Sequence, residues 1–559
     1  MDKRTLLAFV LSFLVLFLWS LFFTPKQTRI SERHHEQAKQ TRQTKDIASS
    51  RKKDLSPLVG RPVPDSLSRL ADKSKNLKEK IVKITTPLYK AEISNLGPCI
   101  KSFKLTGYRE TVDPSSPLVD LVDPGIRDEF LWLGMFLENL GNEGVKIFDT
   151  DAQDVRLGRG SAPKLIKFYG KTQNEVYIEK ALKIYPNQYR IDVSVRVVNQ
   201  SPQMFRGRFV AQVTGHLPEK KHGYYAPYTG LVALANGKLK QLKLKDKKPS
   251  RELKGNFQWV AYQKNYFMCA IIPESTSNAV FRGILDPFTG KLTGILMYPE
   301  VSIAPGSDIQ SSFTLFLGPR QLSLLKHFGK NLDKAVDFGW TNIIAKPLLY
   351  TLNFFNRYIH NYGVSIILLT ILIKIIFWPL THKSYESMKE MQKLQPIMAK
   401  IKEKYKDNRE QMNKELMALY RTYKVNPMSG CLPMIIQIPV FFALYRILGK
   451  AIELRHAPFM LWINDLSAPD RLFHFSFKIP FMTPPYGIPV LTLLMGVSMY
   501  IQQKMTPTPG DPTQAKIMMF LPIIFTFMFI NFPSGLVLYW LVNNILSIGQ
   551  QYRIHKRSV

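Results

Sequence analysis

A chain of 559 residues with 76 Lys+Arg against 42 Asp+Glu carries a formal net charge of +34, and its length supplies several domains. An apolar share of 45% with a mean hydropathy of −0.08 excludes wholesale disorder, while three cysteines (Cys99, Cys269, Cys431) without metal-ligand spacing exclude a disulfide scaffold and a zinc module. The basic excess admits nucleic acid, an anionic membrane surface or an acidic partner segment; apolar residues concentrated toward the two ends of the chain favour the membrane.

Met1-Asp2-Lys3-Arg4 precedes Leu6 to Phe23, 18 residues without a charge. This stretch ends Leu18-Trp19-Ser20-Leu21-Phe22-Phe23 and lacks the small-residue cleavage pattern of a signal peptide. It reads as an uncleaved anchor span, residues 1–24. Residues 25–80 are rich in Lys, Arg, Gln and Ser and poor in aromatics. They cannot bury enough apolar surface to offset ordering entropy, and read as a flexible basic linker. Short alternating runs follow, such as Val82-Lys83-Ile84, Ile191-Asp192-Val193-Ser194-Val195 and Ser312-Phe313-Thr314-Leu315, punctuated by Asn95-Leu96-Gly97-Pro98 and Asp286-Pro287. Period-two alternation with turn signals predicts an all-β sandwich over residues 81–335, with one or two helical excursions.

Within residues 336–361, Trp340, Ile343, Ile344, Leu348, Leu349, Leu352 and Phe355 recur at helical spacing, interrupted by Lys346, Asn353 and Arg357. The pattern predicts an amphipathic helix in the membrane interface; a soluble capping helix is the plainer alternative. Residues 362–559 hold five apolar runs: Tyr362–Leu380, Cys431–Leu448, Ile488–Ile501, Ile517–Phe532 and Leu536–Ile548. The third and fourth span only about 21–24 Å as helices, against about 30 Å of hydrocarbon. Either their helices extend into polar flanks or the bilayer thins around them.

Six spans place the N-terminus, Thr381–Ser429, Gln502–Lys516 and the tail on one side. Between Lys383 and Lys424 alone stand eleven Lys/Arg, whereas Gly449–Gly487 on the other side has Lys450, Arg455, Arg471 and Lys478. The positive-inside rule assigns the basic side to the cytoplasm and the β-domain to the outside.

Lys374 stands in Ile371-Leu372-Ile373-Lys374-Ile375-Ile376-Phe377-Trp378-Pro379. A lysine inside a span is costly and points to function, although about 10 Å separates it from Thr381 along the axis and its stem could snorkel. Thr370 lies one turn away on the same face. Gln437 sits in Met434-Ile435-Ile436-Gln437-Ile438-Pro439, and Asn543 and Asn544 lie in the last run near Trp540. Polar groups on three spans predict a shared water-accessible cavity; interhelical hydrogen-bond glue explains the amides equally well, the cation less easily.

Between the first two runs of the core, residues 382–428 read as a cytoplasmic helical hairpin. Met388, Met391, Leu394, Met398, Ile401 and Tyr405 keep 3-and-4 spacing, Pro396 marks a kink, and Asp407-Asn408 breaks the run. The Met-rich stripe is either the hairpin's own seam or an adaptable surface for apolar segments. No Ser/His/Asp, paired-carboxylate or nucleotide-binding pattern can be defended.

The stretches Asp337-Phe338-Gly339-Trp340, Trp378-Pro379-Leu380-Thr381, Asn426-Pro427-Met428-Ser429-Gly430-Cys431-Leu432-Pro433, Leu454-Arg455-His456-Ala457-Pro458-Phe459 and Phe532-Pro533-Ser534-Gly535-Leu536-Val537-Leu538-Tyr539-Trp540 resemble, in order and spacing, the YidC/Oxa membrane protein insertase family. The anchor and β-domain match its Gram-negative layout. The resemblance implies a monomeric, non-enzymatic insertase of the bacterial inner membrane without cofactor or metal. It implies cytoplasmic termini, a periplasmic β-super-sandwich-like domain and a five-span core. It also implies work alone or beside the Sec translocon, with ribosomes delivering nascent membrane proteins and lipids receiving them. In such a family a hydrophilic inner-leaflet groove carries a cation, usually arginine, whose position falls on Lys374. Thr370, Gln437, Trp540 and Asn543 fall to the groove; Ile435, Pro439, Ile524 and Met528 to the slide along which apolar client segments leave; Met388, Met391 and Met398 to hairpin contacts. Lysine keeps the charge but loses arginine's bidentate fork and, unlike arginine, is able to give up its proton. An ion or solute transporter with Lys374 in its pathway is the alternative function, and a carbohydrate-binding or sugar-modifying β-domain on a membrane anchor is a third reading.

Overall fold

The computed structural model describes residues 78–556 except 127–129, 138–140, 143–144, 218–227, 275–277, 424, 426–431 and 506–511. The anchor span, most of the linker and the Asn426–Cys431 motif lie outside the described residues.

The alternating runs form strands, because one face of each is buried. Val82 and Ile84, Ile191, Val193 and Val195, and Phe313 and Leu315 all point inward. An eight-stranded antiparallel sheet runs in the spatial order 238–241, 230–235, 257–263, 267–273, 308–319, 190–199, 176–184, 164–171. Its register pairs Ile191 with Leu315 and Val193 with Phe313. A seven-stranded sheet is built on Phe205–His216, flanked by Leu131–Leu137 and Lys291–Met297. The two sheets approach closely at glycines. A Cβ on Gly215 would overlap the Tyr262 ring, and one on Gly294 would crowd Leu231 and Phe281. Tyr262 then donates its hydroxyl to the His216 carbonyl at 2.7 Å. A third, five-stranded sheet adds Val82, Ile84, Tyr89, Phe103 and Leu105 to the same buried cluster, so three sheets share the core of the β-domain. Cys99 and Cys269 are buried and free, on strands of different sheets.

Ten helices follow among the described residues: α1 (Leu322–Phe328), α2 (Asn342–Ile359), α3 (Tyr362–Ile376), α4 (Trp378–Lys393), α5 (Gln395–Lys404), α6 (Arg409–Thr422), α7 (Leu432–Lys450), α8 (Val490–Met505), α9 (Pro512–Phe529) and α10 (Ser534–Lys556). In α2, Ala345, Leu349 and Leu352 are buried, while Phe354, Tyr358 and also Ile343, a member of the expected apolar stripe, are exposed. The run Tyr362–Leu380 is not one helix. Pro379 cannot donate to a carbonyl one turn back and crowds it, so the chain breaks at Phe377 and α4 leaves α3 at 64°. α8 and α9 run beyond their apolar stretches into polar flanks, to Met505 and back to Pro512, yet α8 at 16 residues stays short of the hydrocarbon thickness. Among the described residues no single helix is long and apolar enough to cross a membrane on its own composition; bent α3–α4 qualifies as a pair. In the hairpin, Asn408 caps α6 by accepting from Gln411 N at 3.0 Å, and Pro396 opens α5.

Long polar side chains fasten the β-domain to one end of the helical core. Asn265 Nδ2 donates to the Gly449 carbonyl near the end of α7 at 3.2 Å, satisfying a carbonyl the helix leaves open. Arg455 Nη2 donates to the carbonyls of Arg109 and Glu110 at 2.8 and 3.0 Å. Arg446 and Lys450 reach the Phe338 and Asp337 carbonyls at 2.7 and 2.8 Å, which ties the Asp337-Phe338-Gly339-Trp340 motif to α7.

Candidate functional site

Lys374 occupies the last turn of α3, where the helix dipole favours a cation. Its side chain is 9% exposed. Nζ donates to Ser547 Oγ on α10 at 2.7 Å, and Ser547 Oγ in turn donates to the Asn543 carbonyl at 2.8 Å. Among the described residues Lys374 takes part in no ion pair; its partner is a neutral hydroxyl. An ammonium has three donors, so two remain for another acceptor. Tyr385 of α4 reaches Ser547 and Gln551, so α4 packs on the same polar face that receives the ammonium.

The surrounding polar groups follow one rule of spacing. Asn543, Asn544, Ser547, Gln550 and Gln551 recur every three or four residues, and so share a face of α10. Asn544, Ser547, Gln550 and Gln551 are buried. Three of them bind three different helices: Asn544 Nδ2 donates to Ser498 Oγ on α8 at 3.0 Å, Ser547 receives Lys374 from α3, and Gln550 Nε2 donates to Thr381 Oγ1 on α4 at 3.1 Å. α10 is therefore a polar spine against which three other helices are set. The sequence reading stopped at Asn543 and Asn544; the same spacing, carried two turns further, was the available signal for Ser547, Gln550 and Gln551.

The other expected groove residues are placed separately. Thr370 is buried and spends its hydroxyl on the Ile366 carbonyl at 2.6 Å. Gln437 lies against Tyr539, and its Nε2 is buried without an acceptor among the described residues. Trp540 sits in a ring cluster with Phe441 and Phe529, at centroid distances of 5.0 and 4.9 Å. That cluster is seven residues from Ser547, about 10 Å along the axis. Asn543 is half-buried. Of the expected slide, Ile435 and Ile524 are exposed, Pro439 and Met528 half-buried. α7 meets α9 through Phe441–Phe529, and the turn after α9 through Tyr445–Phe532, toward the end of the bundle that carries the β-domain. Met388, Met391 and Met398 are all buried, Met398 in the hairpin seam with Leu394, Leu416 and Leu419.

Comparison with known proteins decides the family. A protein named membrane protein insertase YidC from Syntrophobacter fumaroxidans is 42% identical over 579 residues, covering 100% of both chains. One of the same name from Pelobacter propionicus is 42% identical over 562 residues, covering 100% of this chain and 99% of its own.

The chain belongs to the YidC membrane protein insertase family.

Its parts match separately: residues 81–351 the YidC periplasmic domain, residues 354–559 the family described as 60Kd inner membrane protein. The two YidC matches adjoin inside α2, so the amphipathic helix is the joint between them. A crystal structure of an active YidC insertase with its first transmembrane domain resolved is similar over 86% of this chain and 93% of that one, at 19% identity and a TM-score of 0.37. Two YidC motifs have visible physical reasons here. A Cβ at Gly535 of Pro533-Ser534-Gly535 would crowd Leu448 and Ile366, so the turn lets α10 pack on α7 and α3. Gly339 turns at a φ of 67° under Arg446, a conformation that glycine adopts at little cost.

Proposed function

We propose that this chain inserts nascent membrane proteins into a bacterial inner membrane by offering a cation and a polar helix face within the inner leaflet. Six spans place both termini and the hairpin 382–428 in the cytoplasm and residues 81–335 in the periplasm, with 1–24 as anchor and 362–559 as core. The observation that carries the reading is Lys374: a buried ammonium whose partner is neutral Ser547, on spans without a carboxylate. Replacing the hydroxyl by an acidic client residue sets a full negative charge against the ammonium in place of a dipole, which adds Coulomb attraction to a hydrogen bond that is already charge-assisted.

Moving a polar segment across hydrocarbon is costly because its groups lose water. A polar spine half-way through shortens the dry distance. α3 and α8, with 15 and 16 residues, span only about 22–24 Å, which thins the barrier further. The client's apolar segment then leaves past Ile435, Pro439, Ile524 and Met528, released by burial in lipid at about 25 cal/mol per Å². No bond is made or broken, and no nucleotide is consumed. Ribosomes supply the clients, and the Sec translocon is an optional partner.

The test is reconstitution of the full chain alone in vesicles, with a ribosome-synthesised single-span client bearing an acidic tail. A protease-protected tail without Sec or added nucleotide is the expected result; a tail protected only when the Sec translocon is present would overturn independent insertion. Ion flux through the same vesicles without client would favour a transporter.

A further inference from the structure

The loop between α7 and α8 carries a feature that insertion through the Lys374 face does not use. Leu472–Phe475 pairs with Tyr486–Ile488 as an antiparallel hairpin. Its outward residues are bulky and apolar: Phe473 is 66% exposed, Phe477 64% and Phe481 90%. Phe473 and Phe481 hold positive φ values of 52° and 63°, as does exposed Leu461 earlier in the loop at 56°. Aromatic and branched side chains adopt that region only when their surroundings enforce it.

The enforcement comes from beneath. Asn531, in the turn between α9 and α10, accepts from Thr483 N at 2.8 Å and donates to the Phe481 carbonyl at 2.7 Å. Arg471 is buried and donates to the carbonyls of Pro485 and Ile530 at 3.0 and 2.9 Å. Asp470 receives Trp462 Nε1 at 2.6 Å and also caps the start of α8 through Leu491 N. The hairpin is thus pinned by its polar groups to the outer ends of α8, α9 and α10, with its rings turned away from the protein.

We propose that this hairpin seats in the outer leaflet, as an aromatic foot at the lipid–water boundary. Three observations choose lipid over another occupant. The apolar surface is continuous: Ile488 and then Leu493, Leu494 and Val497 of α8 are exposed directly after the hairpin. The charge suits phospholipid: no Asp or Glu occurs from Arg471 through Gly510, while Lys478 and His474 stand exposed on the hairpin. The chemistry is interfacial, since rings gather at headgroup level and a lysine stem can lie along apolar surface with its ammonium at the phosphates. With α2 presenting Phe354 and Tyr358, the core would then hold its height in the membrane from two separate places. This inference rests on the spans proposed above.

The experiment incorporates the photoreactive benzoyl-phenylalanine at Phe477 or Phe481 in the full chain, reconstituted in vesicles of phosphatidylethanolamine and phosphatidylglycerol. Val497 on α8 serves as the lipid-facing reference. Phe288, 99% exposed on a β-domain turn, serves as the aqueous one. The expected result is lipid adducts at Phe477 and Phe481 comparable to those at Val497, with loss of the lipid adduct at Phe288, as residence at the headgroup level requires. Lipid adducts at Val497 with none at the hairpin positions, or protein adducts there in their place when the experiment is repeated in cells, would overturn the hairpin proposal and leave the spans intact. Absence of lipid adducts at Val497 itself would overturn the span reading, and the hairpin proposal with it.

Discussion

Replacing Lys374 by methionine removes the charge while keeping an unbranched chain that fits among the apolar residues of α3. At 4 Å, a unit charge pair is worth about 1 kcal/mol in bulk water and about 4 kcal/mol at an effective dielectric constant near 20. With 9% of the lysine exposed and a neutral hydroxyl 2.7 Å from Nζ, an arriving carboxylate belongs between these limits. A loss of about 1.4–2.7 kcal/mol is a ten- to hundred-fold slower step for each acidic residue that must pass. The assay compares insertion rates of two clients, one with acidic residues in its translocated tail and one with those residues changed to Asn and Gln, into vesicles holding the native chain, Lys374→Met or Lys374→Arg. Lys374→Met is expected to slow the acidic client by that factor and the neutral client little, with Lys374→Arg retaining most of the native rate. Equal slowing of both clients by Lys374→Met would show that the residue supports the fold, and the electrostatic reasoning would fail.

Other perturbations separate packing from function. Asn544→Leu removes the bond to Ser498 and is expected to cost about 0.6 kcal/mol, the usual worth of such a contact between spans, read as a small drop in melting temperature in detergent; loss of the acidic-client preference in this variant would make Asn544 part of the client path instead. Gly215→Ala is expected to cost about 1–3 kcal/mol through overpacking against Tyr262, read the same way, and an unchanged melting temperature would mean that the sheets can part there freely. Glu453, beneath the β-domain, has its carboxyl held above its ordinary value of 4.5 by burial, with Oε1 lacking a partner among the described residues. A raised carboxyl contributes fully below the unfolded value and loses that contribution as pH rises through the folded one. Glu453→Gln should therefore melt above the native chain at neutral pH, with the gap closing toward pH 4.5; a gap that is constant with pH would contradict the assignment.

Strands such as Ile191–Val195 were legible because a half-buried strand must alternate, and that pattern is local. The third sheet was not, because which strands become neighbours depends on contacts far apart in sequence. The helical core shows the same division. Apolar runs marked where helices would be, but Tyr362–Leu380 was read through Pro379, whose missing donor and ring forced the break at Phe377. Lys374 stood out in sequence as a cation in an apolar stretch, yet its hydrogen-bond partner, Ser547, lies 173 residues away. Ser547, Gln550 and Gln551 went unread because they merge into the polar tail, where serine and glutamine look like an ordinary helix flank. Met398 packs in the hairpin's own seam, a partner that its periodic stripe alone does not reveal. The aromatic hairpin had no periodic signal at all; its outward rings follow from pins at Asn531 and Arg471.

The most direct test places a photocrosslinker at Thr370, Gln437 or Ile524, with Ile375 as control, and stalls a nascent membrane protein with an acidic tail on its ribosome. Ile375 is 62% exposed and neighbours Lys374 in sequence while facing away from it. The expected result is adducts from Thr370 and Gln437 to the acidic tail and from Ile524 to the apolar segment, with Ile375 silent toward the tail. Tail adducts at Ile375 equal to those at Thr370 and Gln437, or none at the latter two, would contradict passage along the Lys374 face.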